Sequence, residues 1–438
     1  MRHYIASMSR LPLLLFLILF ASSRGALAAA QAYGLRYVEA GAGWPASAPG
    51  DELVQAPVEA AEAAALAAQL ELELARLELD LGPYAPAIAE TLLELARAEE
   101  AAGDTAAALA SLTRALHLIR VNDGLYSASQ GPVVRALLNV LRREGDYEAL
   151  DGRYEYFYRL YGVGRPPFDE ARWSAVMEYL RWQREALLLR LDGSPTDRLL
   201  ELIRSNDALL AALEEGEQSR DDWQRHRDAA LSQLFNYYLV DEFIQPEGPD
   251  GVPLFARRRD RFGPRENLQD FDPQRERLEN LQRSVSARGK SLIESALARV
   301  PADMGEERLQ LELELADWFQ WQGNYREAAS RYEQIWTRLQ AEGLTALADA
   351  WFSRPVPLPD NGVFWNADRA VERKLTVQLS VSESGRATVN TEAVPEPLRG
   401  AASRLRRLLQ DTRFRPVVNA GEVKAAVPEA RSFFLLDR

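Results

Sequence analysis

A self-match at an offset of 42 residues is the feature of this sequence that most constrains its fold. The stretch GPYAPAIAETLLELARAEEAAGD begins at Gly82, and GLYSASQGPVVRALLNVLRREGD begins at Gly124. Both open with Gly-x-Tyr and close with Gly-Asp. A fixed period of this size, in a context rich in Ala, Leu and Glu, predicts stacked helical hairpins in which each hairpin covers the apolar face of the one before it.

The repeats carry recognisable residues at the turn between two helices and at the helix crossing. In the first unit these are Leu95-Ala96, Gly103-Asp104, Ala108 and Ala115; in the second, Leu137, Gly145-Asp146-Tyr147 and Tyr154; in a third, Leu315-Ala316, Gly323-Asn324-Tyr325, Ala328 and Tyr332. They resemble the tetratricopeptide repeat family, including its longer variant. The second unit departs from the family by placing Leu150 and Phe157 where small residues are expected. The resemblance implies a mostly α chain with a helical-hairpin solenoid over residues 58–352.

Between the clear units, the hydrophobic periodicity predicts helices at 169–191, 196–214 and 220–244, which we interpret as degenerate repeats. Residues 246–273 interrupt this pattern with prolines, glycines and the run Arg257-Arg258-Arg259. Long loops of this kind are usually functional or disordered. Two interpretations stay open: a basic loop that contacts an acidic partner, or a solvated insertion lying against the acidic helices.

The first residues have the layout of a secretory signal peptide. Two arginines flank a polar start, the run LPLLLFLILFA follows at residues 11–21, and small residues come next. This run is well short of the roughly 20 residues that a bilayer-spanning helix needs. We therefore expect residues 1–28 to be cleaved on export and residues 29–57, rich in Ala, Gly and Pro, to form a flexible leader. The alternative is an uncleaved membrane anchor.

Charge is distributed unevenly along the chain. The formal net charge is −13, and it becomes −16 once the three arginines of residues 1–28 are removed. Residues 363–438 carry 13 basic and 9 acidic side chains and so have a net charge of +4. An acidic body argues against a nucleic-acid binder, which needs a basic surface. The asymmetry supports two regions with different partners.

After a Pro-rich linker at residues 353–362, the pattern changes to short strands. Alternating apolar residues predict a strand at 373–381. A Ser-Gly turn follows it, a second strand is expected at 386–391, and a short helix is expected at 397–409. The segments RFRPVV and EVKAAV flank the turn at Asn419–Gly421, and a last strand is expected at 432–436. The order β-β-α-β-β predicts a small α+β domain over residues 363–438.

This C-terminal region resembles the C-terminal domain of the TonB energy transducers. Arg413-Phe414-Arg415-Pro416 and Gly421 carry the resemblance, and Ser384-Gly385 supports it. It departs from the family at Glu422-Val423, where a proline often follows the turn. In that family the domain pairs with an extended segment of outer-membrane transporters, so the resemblance implies a partner surface that includes Arg413, Phe414, Pro416, Val418 and Gly421. The alternative is a small fold that only caps the solenoid.

A second candidate surface is the concave face of the solenoid. By the register of the repeat family, that face holds extended peptides and would present Arg97, Arg135, Asn139, Arg142 and Arg143 in the first two units, and Asp317, Gln320 and Trp321 in the third. Arginine binds carboxylates with two hydrogen bonds, so the first set suits an acidic segment. The alternative is that these residues are ordinary solvated charges.

Catalytic chemistry has little support in the composition. The sequence has no cysteine and only three histidines, and His3 lies in the expected signal peptide. We expect the other two, His117 and His226, to be surface or groove residues and not metal ligands. We expect no cofactor and no metal. The sequence therefore predicts a non-catalytic periplasmic scaffold whose partners are proteins or peptides of the cell envelope, including outer-membrane proteins, and which has no stable membrane span after signal cleavage. Two other classes stay open: a cell-wall-active enzyme with carboxylates in the solenoid groove, and a membrane-anchored energy transducer of the TonB type.

Overall fold

The computed structural model describes residues 37–39, 60–189, 191, 195–214, 220–243, 273–359 and 374–435. Within these ranges the chain is mostly helical and ends in a small region that contains strands, which confirms the predicted fold class at this level. The α-helices of the described ranges are α1 (Ala60–Leu81), α2 (Ala87–Ala102), α3 (Thr105–Asp123), α4 (Gly131–Glu144), α5 (Tyr147–Leu160), α6 (Glu170–Leu189), α7 (Pro195–Glu214), α8 (Arg220–Phe243), α9 (Pro273–Arg299), α10 (Gly305–Trp321), α11 (Tyr325–Ala341), α12 (Thr345–Phe352) and α13 (Arg399–Asp411).

The turns between paired helices follow from the Gly-Asp motif of the repeats. Gly103 ends α2 in the left-handed conformation (φ 88°), and Gly145 ends α4 in the same way (φ 69°). Glycine adopts this conformation without the steric cost that a Cβ brings. The next residue then caps the following helix: the Asp104 carboxylate accepts a hydrogen bond from the N–H of Ala107 at 3.0 Å, and Asp146 caps α5 similarly. Two residues thus end one helix and start the next.

Apolar residues fill the crossing between the two helices of a hairpin. Ala108 and Ala115 of α3 are fully buried, and their small size lets α2 and α3 approach closely. The positions 42 residues later, Leu150 and Phe157 of α5, are also fully buried. The second hairpin therefore fills the same crossing with larger side chains.

Helices pack in the order in which they occur along the chain. Each helix from α1 to α12 contacts the next one, and further contacts join α2 to α4, α6 to α8 and α7 to α9. One continuous apolar core extends from α1 to α8, and another lies between α10, α11 and α12. None of the helices in the described ranges combines the length and the apolar character that a bilayer-spanning segment requires.

The strands of the described ranges form one four-stranded antiparallel sheet and two short pairs. They are β1 (Tyr37–Glu39), β2 (Val356–Leu358), β3 (Lys374–Val381), β4 (Ala387–Asn390), β5 (Arg413–Arg415), β6 (Val417–Asn419), β7 (Glu422–Lys424) and β8 (Glu429–Leu435). The order in the larger sheet is β1-β8-β3-β4, while β2 pairs with β5 and β6 with β7. The six C-terminal strands, β3 to β8, therefore do not join a single sheet.

Helix α13 covers one face of the larger sheet. Its buried residues, Ala402, Leu405 and Leu409, meet the inward-facing apolar residues of β3, where exposed and buried positions alternate. Burial of a Leu side chain contributes about 1.5–3 kcal/mol, so this one apolar layer stabilises both the helix and the sheet.

Two segments that the sequence predicts to be irregular contain strands. Tyr37–Glu39 lies within the expected flexible leader, yet it pairs with β8. Val356–Leu358 lies within the expected linker, yet all three residues are buried and pair with β5. Both predictions were wrong at these residues, because pairing partners far away in sequence order them. The expected signal peptide lies outside the described residues, and so does the expected loop at 246–273 except for Pro273, which begins α9.

Candidate functional site

The arginines expected on the concave face form ion pairs with neighbouring helices. Arg142 of α4 contacts Glu185 of α6, with 2.5 Å between Nη1 and Oε1. Arg135 pairs with Glu178 of α6 in the same way. In both pairs the partners are 43 residues apart, which is about one repeat. These two arginines therefore link consecutive hairpins and do not present ordinary solvated charges.

The remaining residues of this set differ in exposure. Arg143 pairs with Glu100 of α2 at 2.8 Å, again across 43 residues, but its side chain is 48% exposed. Arg97 lies exposed on α2, and Asn139 is half-buried on α4. Of the first five predicted groove residues, Arg97 and Arg143 are thus the ones that solvent reaches most easily.

Two buried glutamates are functional candidates that the sequence analysis missed. The side chains of Glu178 and Glu185 are only 4% and 3% exposed. Burial raises the pKa of both carboxyl groups, and the ion pairs with Arg135 and Arg142 oppose that shift. The signal that would have found them is an Arg and a Glu separated by one repeat, since that spacing places both on the first helices of adjacent hairpins.

The three residues predicted for the third unit face the interior of the protein. Asp317 and Gln320 of α10 are each 1% exposed, and both contact the C-terminal strands. Trp321 is half-buried, and its ring meets the Tyr238 ring edge-on, with centroids 5.1 Å apart. The prediction that Asp317 and Gln320 line an open groove was therefore wrong. The chain's own C-terminal region occupies that place.

A buried ion pair fastens the C-terminal strands to α10. Arg415 donates hydrogen bonds from Nε and Nη2 to the two oxygens of Asp317, at 2.9 and 2.5 Å, and Tyr332 donates a third at 2.8 Å. The side chains of the ion pair are 3% and 2% exposed. Because both charges are buried, each depends on the other for compensation.

A second contact of the same junction involves backbone carbonyl groups. Gln320 donates from Nε2 to the oxygens of Ser384 and Phe414, at 3.0 and 2.9 Å. Gly385 lies between them in the left-handed conformation (φ 71°), and a Cβ there would come within 2.2 Å of Gln320. Gly385, which the sequence pattern assigns to a turn between two strands, is thus also required because a larger residue would not fit against Gln320.

The predicted partner residues of the C-terminal region lie in or beside this junction. Arg413 donates to the Tyr325 hydroxyl at 2.6 Å, Phe414 and Pro416 are buried, Val418 is buried in the core of α10–α12, and Gly421 lies against the Trp336 ring. The prediction of an open partner surface was therefore wrong for Phe414, Pro416 and Val418, while Arg413 and Gly421 are half-buried. The five residues attach the strands to the last helices.

Comparison with models of known protein families finds no match for this chain, and no curated protein matches it either.

The larger sheet presents backbone groups at its edge along β8. Strand β8 has seven residues and pairs with β3 along its inner side. On its outer side β1 pairs with only three of them, Phe433–Leu435. Among the strands that the structure describes, no other strand borders the outer side of Glu429–Ser432. An edge of this kind offers N–H and C=O groups to an extended segment.

Side chains suited to metal or general acid–base chemistry are not grouped within the described ranges. No cluster of three or more His, Asp or Glu residues is arranged there to hold a metal ion. His117 is exposed, whereas His226 is only 5% exposed, contrary to the expectation of a surface or groove position. Burial lowers the pKa of His226, and the nearby Arg299 adds to that shift.

Proposed function

We propose that the protein is a non-catalytic scaffold of the bacterial periplasm. In this proposal a solenoid of helical hairpins binds proteins or peptides, and the TonB-like C-terminal sheet docks a second component of the envelope. The observation that carries the proposal is the junction at α10, where Arg415 of β5 pairs with Asp317 and Gln320 contacts the turn between β3 and β4 of the larger sheet. A scaffold needs its binding surfaces held at a fixed separation, and this junction supplies that constraint.

The contacts of the helices support the proposed solenoid. Each helix packs on its chain neighbours, and pairs such as Arg142–Glu185 link equivalent helices of successive hairpins. Arg97 and Arg143 are exposed, although Arg143 also pairs with Glu100, and these are the arginines we assign to peptide binding on the helices. The edge of β8 is the surface we assign to docking, through backbone hydrogen bonds and not through reactive side chains.

The periplasmic location rests on sequence alone. Residues 1–28 have the layout of a cleaved signal peptide. Because the chain has no cysteine, its folding does not depend on the redox state of the compartment. N-terminal sequencing of the exported protein tests this part of the proposal. A start at Ala29 or Gln31 agrees with it, whereas an intact Met1 would favour the membrane-anchored transducer.

Photo-crosslinking in cells tests the two surfaces. A photoreactive residue is placed at Ala430 on β8 or at Arg97 on α2, both exposed, and at Lys290 on α9 as an exposed control. We expect discrete high-mass adducts from positions 430 and 97, with different partners, and none from position 290. Identical adduct patterns from all three positions, or none from any, would contradict the scaffold.

One observation favours a second candidate function. The raised pKa of Glu178 and of Glu185 is a property that general acids of cell-wall hydrolases require. Their burial and their pairing with arginine make them poor contacts for a polymeric substrate. Hydrolysis of peptidoglycan by the purified protein, lost in Glu185→Gln but kept in Glu100→Gln, would establish the enzyme and displace the scaffold.

A further inference from the structure

Strand β1 covers part of the outer edge of β8, which is the surface that we assign to docking. Its register against β8 pairs Tyr37 with Leu435, Val38 with Phe434 and Glu39 with Phe433, all antiparallel. The 20 residues 40–59 separate this strand from α1, so the strand comes from the opposite end of the chain to the sheet that it joins. The contact therefore joins the first and last described segments of the protein.

Strand β8 has only some of the features by which edge strands usually avoid further pairing. Such strands are protected by proline, by bulges, by charged side chains or by a covering segment. Glu429–Leu435 contains no proline and no lysine, and its two charged residues, Glu429 and Arg431, pair with each other. Its inner side pairs continuously with β3 from Glu429 to Phe434. Coverage by β1 adds to the protection that these charges give, and the described residues of that strand reach three of the seven.

We propose that Tyr37–Glu39 is an intramolecular cap, and that an extended segment of a partner protein binds by displacing it from β8. This inference rests on the proposed docking function. The incoming segment runs antiparallel to β8, as β1 does, and a segment longer than three residues can pair with more of β8 than Tyr37–Glu39 does. The net charge of +4 of residues 363–438 favours a segment with acidic residues, and the cap itself contains Glu39.

The cap sets the affinity that a partner must reach. A strand held on the same chain competes at an effective concentration on the order of 1 mM. A partner's apparent dissociation constant equals its intrinsic one divided by the fraction of molecules in which the edge is open. If the cap itself binds β8 with an intrinsic dissociation constant of about 100 µM, its removal would tighten the binding of any partner by about tenfold. Short weak segments are thereby excluded, whereas a longer segment that pairs along the whole of β8 can compete.

The test measures binding of a fluorescent synthetic peptide, residues 34–42 of this chain (GLRYVEAGA), to the purified full-length protein by anisotropy. Val38→Pro removes a backbone N–H from the cap, and proline disfavours a paired strand position. Ser47→Pro, outside β1, is the matched control. We expect Val38→Pro to bind the peptide about tenfold more tightly than the parent and Ser47→Pro do. Equal affinities for all three proteins, or no binding by any of them, would overturn the proposal.

A disulfide lock provides an independent test that does not depend on opening the edge. The chain has no cysteine, so the pair V38C and F434C is the only thiol pair in the variant. Paired strand residues have Cα atoms about 4.5–5.5 Å apart, within the range that a disulfide spans. We expect the oxidised form to bind the peptide at least tenfold more weakly than the reduced form. Equal binding by the two forms would overturn the cap.

Failure of the cap and failure of the docking function give different results. The peptide assay uses purified protein and reports only on the edge of β8 and the strand that covers it. The crosslinking experiment at Ala430 reports on a partner in the cell. A gain in peptide affinity for Val38→Pro without any cellular adduct from position 430 would support the cap and refute docking. Adducts with no change in peptide affinity would support docking and refute the cap.

Discussion

At the scale of single residues, Ala420 has a backbone conformation that its side chain disfavours. It lies in the two-residue turn between β6 and β7 with φ 55°, next to Gly421 with φ 81°. A Cβ in the left-handed region costs about 1–2 kcal/mol, more than the chain entropy that alanine saves relative to glycine. We expect Ala420→Gly to raise the free energy of unfolding by about 1 kcal/mol, measured by urea denaturation.

The same substitution on an exposed helix provides the control for Ala420. Ala64 lies on the solvent side of α1, where glycine lowers stability by about 1 kcal/mol relative to alanine. Ala64→Gly should therefore shift the urea midpoint down, while Ala420→Gly shifts it up. A decrease in both variants would show that the turn does not hold Ala420 in the left-handed conformation.

Buried His226 makes stability depend on pH. Burial lowers its pKa in the folded protein, with Arg299 adding to the shift and Glu214 opposing it. The unfolded chain therefore binds a proton more readily, and stability falls as pH drops below the unfolded pKa of about 6.5. Each unit of lowered pKa corresponds to about 1.4 kcal/mol of this loss. We expect His226→Gln to lose less stability than the parent between pH 7.5 and 5.5.

Thermal unfolding across that pH range, with His117→Gln as the control, measures this effect. His117 is exposed, so the control should follow the parent. Buried carboxyl groups such as Glu185, whose pKa burial raises, contribute in the opposite direction, and the comparison of variant with parent removes their contribution. Parallel pH profiles for the parent and His226→Gln would contradict the role of this histidine.

At the scale of elements, ion pairs between first helices hold successive hairpins in register. Arg142 and Glu185 have side chains that are 12% and 3% exposed. Removing one partner leaves a buried charge without compensation, which costs about 3–5 kcal/mol, whereas apolar replacement of both is close to neutral. We expect Arg142→Met and Glu185→Met each to destabilise strongly and the double variant to recover most of the loss.

A double-mutant cycle by urea denaturation measures this coupling, and the Arg143–Glu100 pair serves as its comparison. Arg143 is 48% exposed, and exposed pairs contribute about 0.2–1 kcal/mol. A coupling at Arg142–Glu185 no larger than that at Arg143–Glu100 would mean that burial does not strengthen the link between α4 and α6.

The helices could be predicted from the sequence because their signals are local. The turn at Gly103-Asp104 and the apolar spacing of α3 act within a few residues of each other, and the same holds for the turn at Gly145. The roles of Arg135 and Arg142 could not be predicted in this way. The repeat register places them on a first helix, but only the neighbouring hairpin decides whether a glutamate lies opposite.

At the scale of the whole molecule, the Arg415–Asp317 pair couples the strands to the helices. Its side chains are 3% and 2% exposed, and Tyr332 completes the hydrogen bonding of the carboxylate. Arg415→Met leaves Asp317 charged and buried, with an expected cost of about 3–5 kcal/mol. Because the pair joins two regions, we expect faster amide hydrogen exchange in both α10 and β5.

Hydrogen exchange with mass spectrometry checks this coupling. Lys424→Met is the matched control, since Lys424 pairs with Glu422 on the surface of the β6–β7 hairpin. The control should change exchange only near the hairpin. Faster exchange confined to β5 in Arg415→Met, with α10 unchanged, would show that the junction does not transmit stability between the two regions.

The junction and the edge of the sheet were the parts that sequence patterns could not predict. Arg415 and Asp317 are 98 residues apart, and Tyr37 pairs with a residue almost 400 positions away. Neither contact leaves a periodic signal, because periodicity reports only which face of an element is apolar. The strand at Lys374–Val381 was visible because its alternation of apolar and polar residues is complete within eight residues.

The pairing of β1 with β8 also determines how tension would pass through the chain. In this antiparallel pair, Tyr37 and Leu435 lie side by side, so a force that draws the two ends apart loads the backbone hydrogen bonds one after another, as in a zipper. Bonds broken in sequence resist far less than bonds sheared together. Pulling would therefore peel away the three-residue strand and bare the edge of the sheet before any helix came under load.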